Sequence, residues 1–363
     1  MSNALKVILY INMINQGLNM RILVTGTEGY IGSLLAPILI QRGHEVVGID
    51  TGYYRDGWLY SRKKDTPLQA MTINKDLRNI DRSDLEGFDA VVHLAELSND
   101  PLGQNSPEVT YKINHQGTVN IARLCKEVGV QRFVYTSSCS VYGAGTSDFL
   151  DEESATNPQT AYAECKVKVE KDLSSLADDS FSPVYLRNGT AYGASPRMRF
   201  DIVLNDLSAL AWTEKNIAML SDGEPWRPLV HVLDICKAIY CSLEAPADSI
   251  HNQVFNVGDS SANYQIKDIA RIVGDEFQGC TVTLGDSTGD NRSYRVNFDK
   301  ITNNLPGFSC DWSAEKGAAQ LHSVFRQIDM SLDTYRARPF TRLKQLKYLI
   351  ETMQIDDEFF WTV

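Results

Sequence analysis

Short apolar runs alternate with longer stretches of helical period along the first half of the chain. Arg21–Thr25 is an apolar run that opens into a glycine-rich turn. Ile31–Gln41 then places apolar residues at helical spacing and stops near Gly43. His44–Asp50 is a second apolar run and closes on an acid. Strand-like runs recur at Ala70–Asn74, Ala90–Leu94, Arg132–Ser137 and Val184–Arg187, with helical patterns near Pro107–Val128 and Pro158–Leu176. Strands alternating with helices predict a doubly wound parallel α/β sheet with right-handed crossovers. Parallel strands buried on both faces should be apolar throughout, as Ala90-Val91-Val92-His93-Leu94 nearly is.

After Arg187 the elements shorten and glycine and proline become more frequent. This change divides the chain. Residues 1–19 are expected to be an upstream extension, because Met20 stands directly before the first strand. Residues 20–187 form the sheet domain, with a return near 230–257. Residues 188–229 and 258–337 form a smaller α/β domain. Residues 338–363 form a C-terminal helical segment that covers the core or a partner subunit.

Composition narrows the function. The chain has 363 residues, 43% of them hydrophobic and 22% charged, which supports a sizeable core and argues against disorder. A net charge of −11 disfavours nucleic acid, which wants a basic face. The seven cysteines are scattered and never spaced as C-x-x-C, so reduced thiols in the cytoplasm are expected, with no metal. No apolar stretch is long enough to span a membrane. Val7–Ile14 is too short for a secretion signal and lacks a small-residue cleavage site.

Two motifs carry the chemistry. Gly26, Gly29 and Gly32 stand between a strand and a helix, as a dinucleotide's pyrophosphate requires. Asp50 ends the next strand, where its carboxylate would accept from the adenosine ribose and repel a 2′-phosphate. That favours NAD over NADP, with Arg55 as the counter-argument. Asp76, before Leu77, is either a cap for the adenine amino group or a solvated loop acid. Ala95 is small where a dinucleotide backbone should pass. His93, inside an apolar strand, reads as a satisfied core residue.

The second motif is Ser138 with Tyr162 and Lys166. Tyr and Lys four residues apart share a helix face. An unperturbed tyrosine has a pKa of about 10, and lowering it by about three units takes roughly 4 kcal/mol. The Lys166 ammonium and a positive nicotinamide ring both favour the phenolate. Lys166 also suits the nicotinamide ribose, and Ser138 would orient the substrate oxygen. Arg227, in Trp226-Arg227-Pro228, and Arg292, in Asp290-Asn291-Arg292, sit near turns. They are either diphosphate clamps or surface arginines.

These residues resemble the extended short-chain dehydrogenase/reductase family, in its nucleotide-sugar epimerase/dehydratase branch. The resemblance covers residues 20–330. It rests on Thr25-Gly26-x-x-Gly29-Tyr30-Ile31-Gly32, Asp50, His93-Leu94-Ala95, Asn114 with Gly117-Thr118, Ser137-Ser138, Val141-Tyr142-Gly143, Tyr162-x-x-x-Lys166, and Arg227 ahead of Val230-His231-Val232. It implies a Rossmann-type sheet and NAD held by Gly26, Gly29, Tyr30, Ile31, Gly32, Asp50, Asp76 and Leu77. Leu94, Ala95, Glu96, Asn114, Ser137, Tyr162 and Lys166 complete the implied cofactor contacts. Ser98, Ser138, Thr190, Arg227 and Arg292 are the implied contacts to a nucleotide-sugar substrate, and a homodimer is implied as well.

Three departures refine the expectation. Dehydratases of this branch carry an Asp-Glu pair where Cys139-Ser140 stand. The glutamate of decarboxylating relatives is absent too. Thr190 replaces an asparagine that usually meets the substrate phosphate. The expected activity is an NAD-dependent nucleotide-sugar epimerase, acting at C4 through a transient keto intermediate. The alternative is an NAD(P)H-dependent reductase of a 4-keto-6-deoxy nucleotide sugar.

Overall fold

The strands that build the centre of this protein are apolar on both sides, so each face must be covered by helices. The computed structural model describes residues 19–60, 69–98, 106–144, 149–286 and 293–362. The strands are β1 (Arg21–Thr25), β2 (Glu45–Asp50), β3 (Met71–Asn74), β4 (Ala90–His93), β5 (Arg132–Ser138), β6 (Ser182–Asn188), β7 (Thr190–Tyr192), β8 (Asn216–Ala218), β9 (Trp226–His231), β10 (Gln253–Val257), β11 (Asn263–Gln265) and β12 (Thr281–Thr283). Seven of them form one parallel sheet in the order β10-β6-β5-β4-β1-β2-β3.

The longer helices are α1 (Gly32–Gln41), α2 (Thr118–Val128), α3 (Ala161–Leu176), α4 (Val203–Thr213), α5 (Val232–Glu244), α6 (Ile266–Glu276), α7 (Ala314–Gln327) and α8 (Arg342–Glu351). Side chains alternate along β1. Ile22 and Val24 pack in one layer with Leu35 and Leu39 of α1 and Ile235 and Ile239 of α5. Leu23 packs in the other with Ile121 of α2 and Val169 and Leu173 of α3. Burying each of these side chains contributes about 1.5–3 kcal/mol. In chain order the strands run from β1 outward to β3, then back across to β4 and on to β6. The strand order therefore reverses between β1 and β4, and a crevice opens beyond Thr25 and His93.

Two smaller sheets lie outside this frame. β11-β9-β7 is mixed, and β12-β8 is a parallel pair. Gln253–Val257 pairs with β6, whereas Val230 lies in β9. Arg227 also lies in β9, opposite Tyr264, and not in a turn.

The predicted helix near Pro107–Val128 is present but widened. Pro107–Thr110 and α2 flank Tyr111–Gly117, which coils as a π-helix. The C-terminal segment expected to be helical over 338–363 has a short 3-10 turn at Arg338–Phe340 and an α-helix over Arg342–Glu351, and the helix stops there. The reason is local. Asp356 Oδ1 accepts the N–H groups of Glu358 (3.0 Å) and Phe360 (2.8 Å) and holds a turn instead. The segment folds back, and Ile355 bridges to Trp361. Among the described residues no helix is long and apolar enough to cross a membrane.

Candidate active site

The crevice at the strand reversal deepens into a cavity of about 620 Å³. One wall is the turn from β1 into α1. Gly26 has φ +77°, and a Cβ there would lie 2.9 Å from the Ala95 nitrogen. A Cβ on Gly32 would lie 2.1 Å from the Gly26 oxygen. Neither position admits a side chain, so backbone is what this wall presents. The N-terminus of α1 has no side-chain cap, which leaves it open to an anion. Tyr30 and Ile31 also line the cavity, but the Tyr30 hydroxyl turns away and donates to Gly193 O at 2.6 Å.

Asp50 ends β2 at the rim. Its carboxylate accepts from Glu28 N (3.0 Å) and Gly52 N (2.7 Å), while burial pushes its pKa above the ordinary aspartate value. Arg55 does not reach the cavity; its Nε donates to Gly52 O and its guanidinium lies over Trp361. A glycine wall, an uncapped helix and a rim carboxylate fit a dinucleotide of the NAD type. Asp76 and Leu77 are at the same end. The Asp76 carboxylate is engaged, however, by the Nε, Nη2 and backbone N–H of Arg78 at 2.7–2.9 Å.

Beyond β4, Leu94, Ala95, Glu96, Leu97 and Ser98 form the floor. Asn114 does not line it. It stands behind, fully buried, and holds Leu97 by both backbone groups at 2.9 and 3.1 Å. Its place in the widened helical turn makes it a support for the floor. His93 is bonded to Thr25 and Thr118, and burial takes its pKa down to about 3, so it is a neutral core residue as expected.

Ser138, Tyr162 and Lys166 all line the cavity. Ser138 closes β5, and its Oγ accepts from Ser140 N at 3.1 Å, leaving its own proton to donate. Tyr162 opens α3 just after the cap Thr160, whose hydroxyl accepts from Ala163 N. One turn on, the Lys166 ammonium lies 5.3 Å from the Tyr162 ring centre. Lys166 is buried, donates to Thr136 O and pairs with Glu96. Tyr135 donates to the same carboxylate at 2.8 Å. Burial raises the Glu96 pKa; Lys166 and Tyr135 oppose that rise. Part of the lysine's charge is therefore met before any ligand arrives. Ser137 lines the cavity, but its hydroxyl donates to Glu170 behind the strand.

On the far side stand Thr190 and Arg227. Arg227 donates to Trp226 O at 2.8 Å and its guanidinium lies 5.9 Å from the Tyr294 ring centre. Ser98 Oγ meets Arg199 Nη1 at 3.3 Å. Arg292 lies outside the described residues.

Several wall residues escape the sequence. Among the described residues, Ser140 Oγ is buried without a hydrogen-bond partner, and so is Asn188 Oδ1. Arg199, Asp201 and Arg342 also reach the cavity. Glu96 is expected at the cofactor, but its pairing with Lys166 is not; a carboxylate placed directly after a buried strand demands a partner. At the positions of the dehydratase carboxylates, Cys139 is fully buried with its thiol directed to Arg187 O at 3.2 Å, and Ser140 faces the cavity.

Comparison with known proteins agrees with this geometry. The model of the NAD dependent epimerase/dehydratase family matches residues 22–258. Protein CapI of Staphylococcus aureus is 33% identical over 63% of this chain and 70% of its own length. A UDP-glucose 4-epimerase of Corynebacterium glutamicum is 27% identical over 70% of this chain and 79% of its own. Among solved structures, MoeE5 in complex with UDP-glucuronic acid and NAD superposes with a TM-score of 0.72 at 26% identity, covering 85% of this chain and 99% of that one. The chain belongs to the NAD-dependent epimerase/dehydratase family and is an enzyme that takes NAD as its cofactor.

Proposed function

We propose that this enzyme is a nucleotide-sugar epimerase that inverts the sugar at C4 through a transient keto intermediate. The observation that carries the reading is the make-up of one cavity. Ser138, Tyr162 and Lys166 line it together with the glycine wall, while Cys139 and Ser140 leave no carboxylate at the positions that serve water elimination. Gly26, Gly29, Gly32 and the uncapped end of α1 hold the cofactor's diphosphate, and Asp50 holds its adenosine ribose. Bound NAD supplies a reversible hydride acceptor at its nicotinamide. Tyr162 takes the proton of the sugar hydroxyl and later returns it. Ser138 donates to the same oxygen, and Lys166 supports the charge on Tyr162. Thr190 and Arg227 hold the sugar-nucleotide end. The relative named UDP-glucose 4-epimerase supports this substrate class. The reading includes a homodimer in the cytoplasm. Seven free thiols support a reducing compartment.

The test offers UDP-, GDP-, CDP- and dTDP-sugars with catalytic NAD and no reductant. Stereoisomers of unchanged mass are expected, with deuterium at the reacting carbon retained. A product formed only with stoichiometric NADH or NADPH would establish the keto-sugar reductase instead. A product lighter by one water would establish a dehydratase. Tyr162→Phe should keep NAD binding and lose roughly 10²–10⁴-fold in turnover, the scale of general acid–base help.

A further inference from the structure

Arg342 enters the cavity from the far end of the chain. It opens α8, is 3% exposed, and places its guanidinium 3.9 Å from the Tyr54 ring centre. Its backbone N–H donates to Asp201 at 3.3 Å. The guanidinium itself makes no ion pair and donates no hydrogen bond among the described residues. The nearby carboxylates are engaged elsewhere. Arg199 holds Asp201 through its Nε (2.8 Å) and Nη2 (3.2 Å), and backbone N–H groups hold Asp50.

Three features make this an unfavourable place for a lone cation. It is buried; a second guanidinium, that of Arg199, is close; and it stands in the first turn of a helix, where the backbone dipole is positive. Burial first, and the Arg199 charge next, bring the Arg342 pKa down to about 10, against the opposing pull of Tyr54, Asp201 and Asp50. One bound anion would offset all three.

The position names the anion. Asn205 Nδ2 donates both to the Tyr30 hydroxyl (3.2 Å) and to Arg199 O (3.0 Å), and Arg342 lies over Tyr54, so the two arginines stand on the side of the cavity where Tyr30 and Tyr54 belong to the dinucleotide half. The segment that carries Arg342 is tied to the rim of the dinucleotide half. Gln345 donates to Tyr53 O (2.9 Å), Trp361 Nε1 donates to Thr51 O (2.7 Å), and Arg78 donates to Glu358 O (2.6 Å). Arg227, by contrast, keeps company with Trp226 and Tyr294. We propose that Arg342 and Arg199 form a binding site for the diphosphate of NAD, through which the C-terminal segment slows release of the cofactor. This rests on NAD being the cofactor, not on the reaction being an epimerisation.

The test uses the full chain freed of nucleotide. Binding of NAD, ADP-ribose and UDP is measured by calorimetry, and release of NADH by its fluorescence. Arg342→Gln should weaken NAD and ADP-ribose by about 10- to 100-fold, the scale of a charge-assisted hydrogen bond, and speed NADH release. UDP affinity should stay the same. Arg342→Lys keeps the charge, should fold normally, and should fall between the wild type and Gln. Unchanged NAD affinity in the Lys and Gln variants overturns the proposal. So does a loss of UDP affinity as large as the loss of NAD affinity, which would assign the arginine to the substrate. Should Gln fail to fold, the Lys variant alone decides: NAD weakened with UDP unchanged supports the site, and NAD unchanged refutes it.

Discussion

Two buried ion pairs stand one turn apart on α3 and face different surroundings. Glu170 pairs with Arg187, their side chains 10% and 7% exposed. Lys166 pairs with Glu96 at 3% and 4%. The first pair is saturated by protein. Arg187 reaches Glu170 through Nε (3.1 and 3.2 Å) and Nη2 (2.7 Å), its Nη1 reaches the Tyr142 hydroxyl at 3.0 Å, and Ser137 adds its own proton to Glu170. It joins α3, β5 and β6 behind the sheet. Both members of the second pair line the cavity, and neither is a fork. Equal burial thus conceals unequal roles: one pair sets the spacing of the elements, and the other sets the charge that a ligand meets.

Three substitutions separate these roles. The largest stability effect is expected for Glu170→Ala. It strands a buried guanidinium, and denaturant unfolding should show a loss of about 3–5 kcal/mol. A loss below about 1 kcal/mol would erase the distinction. Glu96→Gln should cost less stability, because Lys166 keeps Thr136 O and borders the cavity. Its effect is on chemistry. With the carboxylate neutralised, the ammonium acts undiminished on Tyr162, and the acid limb of the turnover profile should move about one pH unit lower. Glu170→Gln should leave that limb in place; equal movement in both variants would refute the assignment.

A third pair, at the surface, supplies the smallest effect. Arg42 joins the end of α1 to Glu244 of α5 at 2.5–2.6 Å, with side chains 38% and 35% exposed. Partial burial raises the Glu244 pKa, but His44, its Nε2 3.6 Å away, and the hydrogen-bonded Arg42 outweigh it and bring the carboxyl from 4.5 down to about 2. A depressed carboxyl stabilises the fold above its unfolded pKa, and that stabilisation is lost as pH falls through the folded one. After solvent screening, Glu244→Gln should cost no more than about 1 kcal/mol near pH 7. The gap from wild type should close between pH 4.5 and about 2, as followed by thermal melts across that range. A gap that persists at the acid end would mean the pair is not its source.

The contrast also explains what the sequence could disclose. β1 and β4 are legible because a strand buried on both faces admits few polar residues, and Gly26 because its turn admits no Cβ. Tyr162 and Lys166 share one helix face, so their partnership has a fixed spacing. The partner of Lys166 is 70 residues away, in the loop after β4, and no periodicity links the two. Arg342 is harder still. In sequence it begins an ordinary amphipathic helix, and contacts with Asp201, Thr51 and Tyr53, each more than 140 residues away, hold its segment at the cavity. Asn114 illustrates a third case: its place beside the site was legible, but the group it holds is Leu97.

The anchoring of Trp361 to Thr51 also sets an order of events during synthesis. The two residues are 310 positions apart. At about 5–20 residues per second, the ribosome needs roughly 15–60 s to travel between them. Throughout that interval β1, β2 and the glycine wall can already be folded, while the rim that Arg342 and Trp361 complete is missing. A nascent chain therefore presents an open cradle, and the finished chain a walled one. The later residues of this pairing act as the closing piece of a site begun by β1.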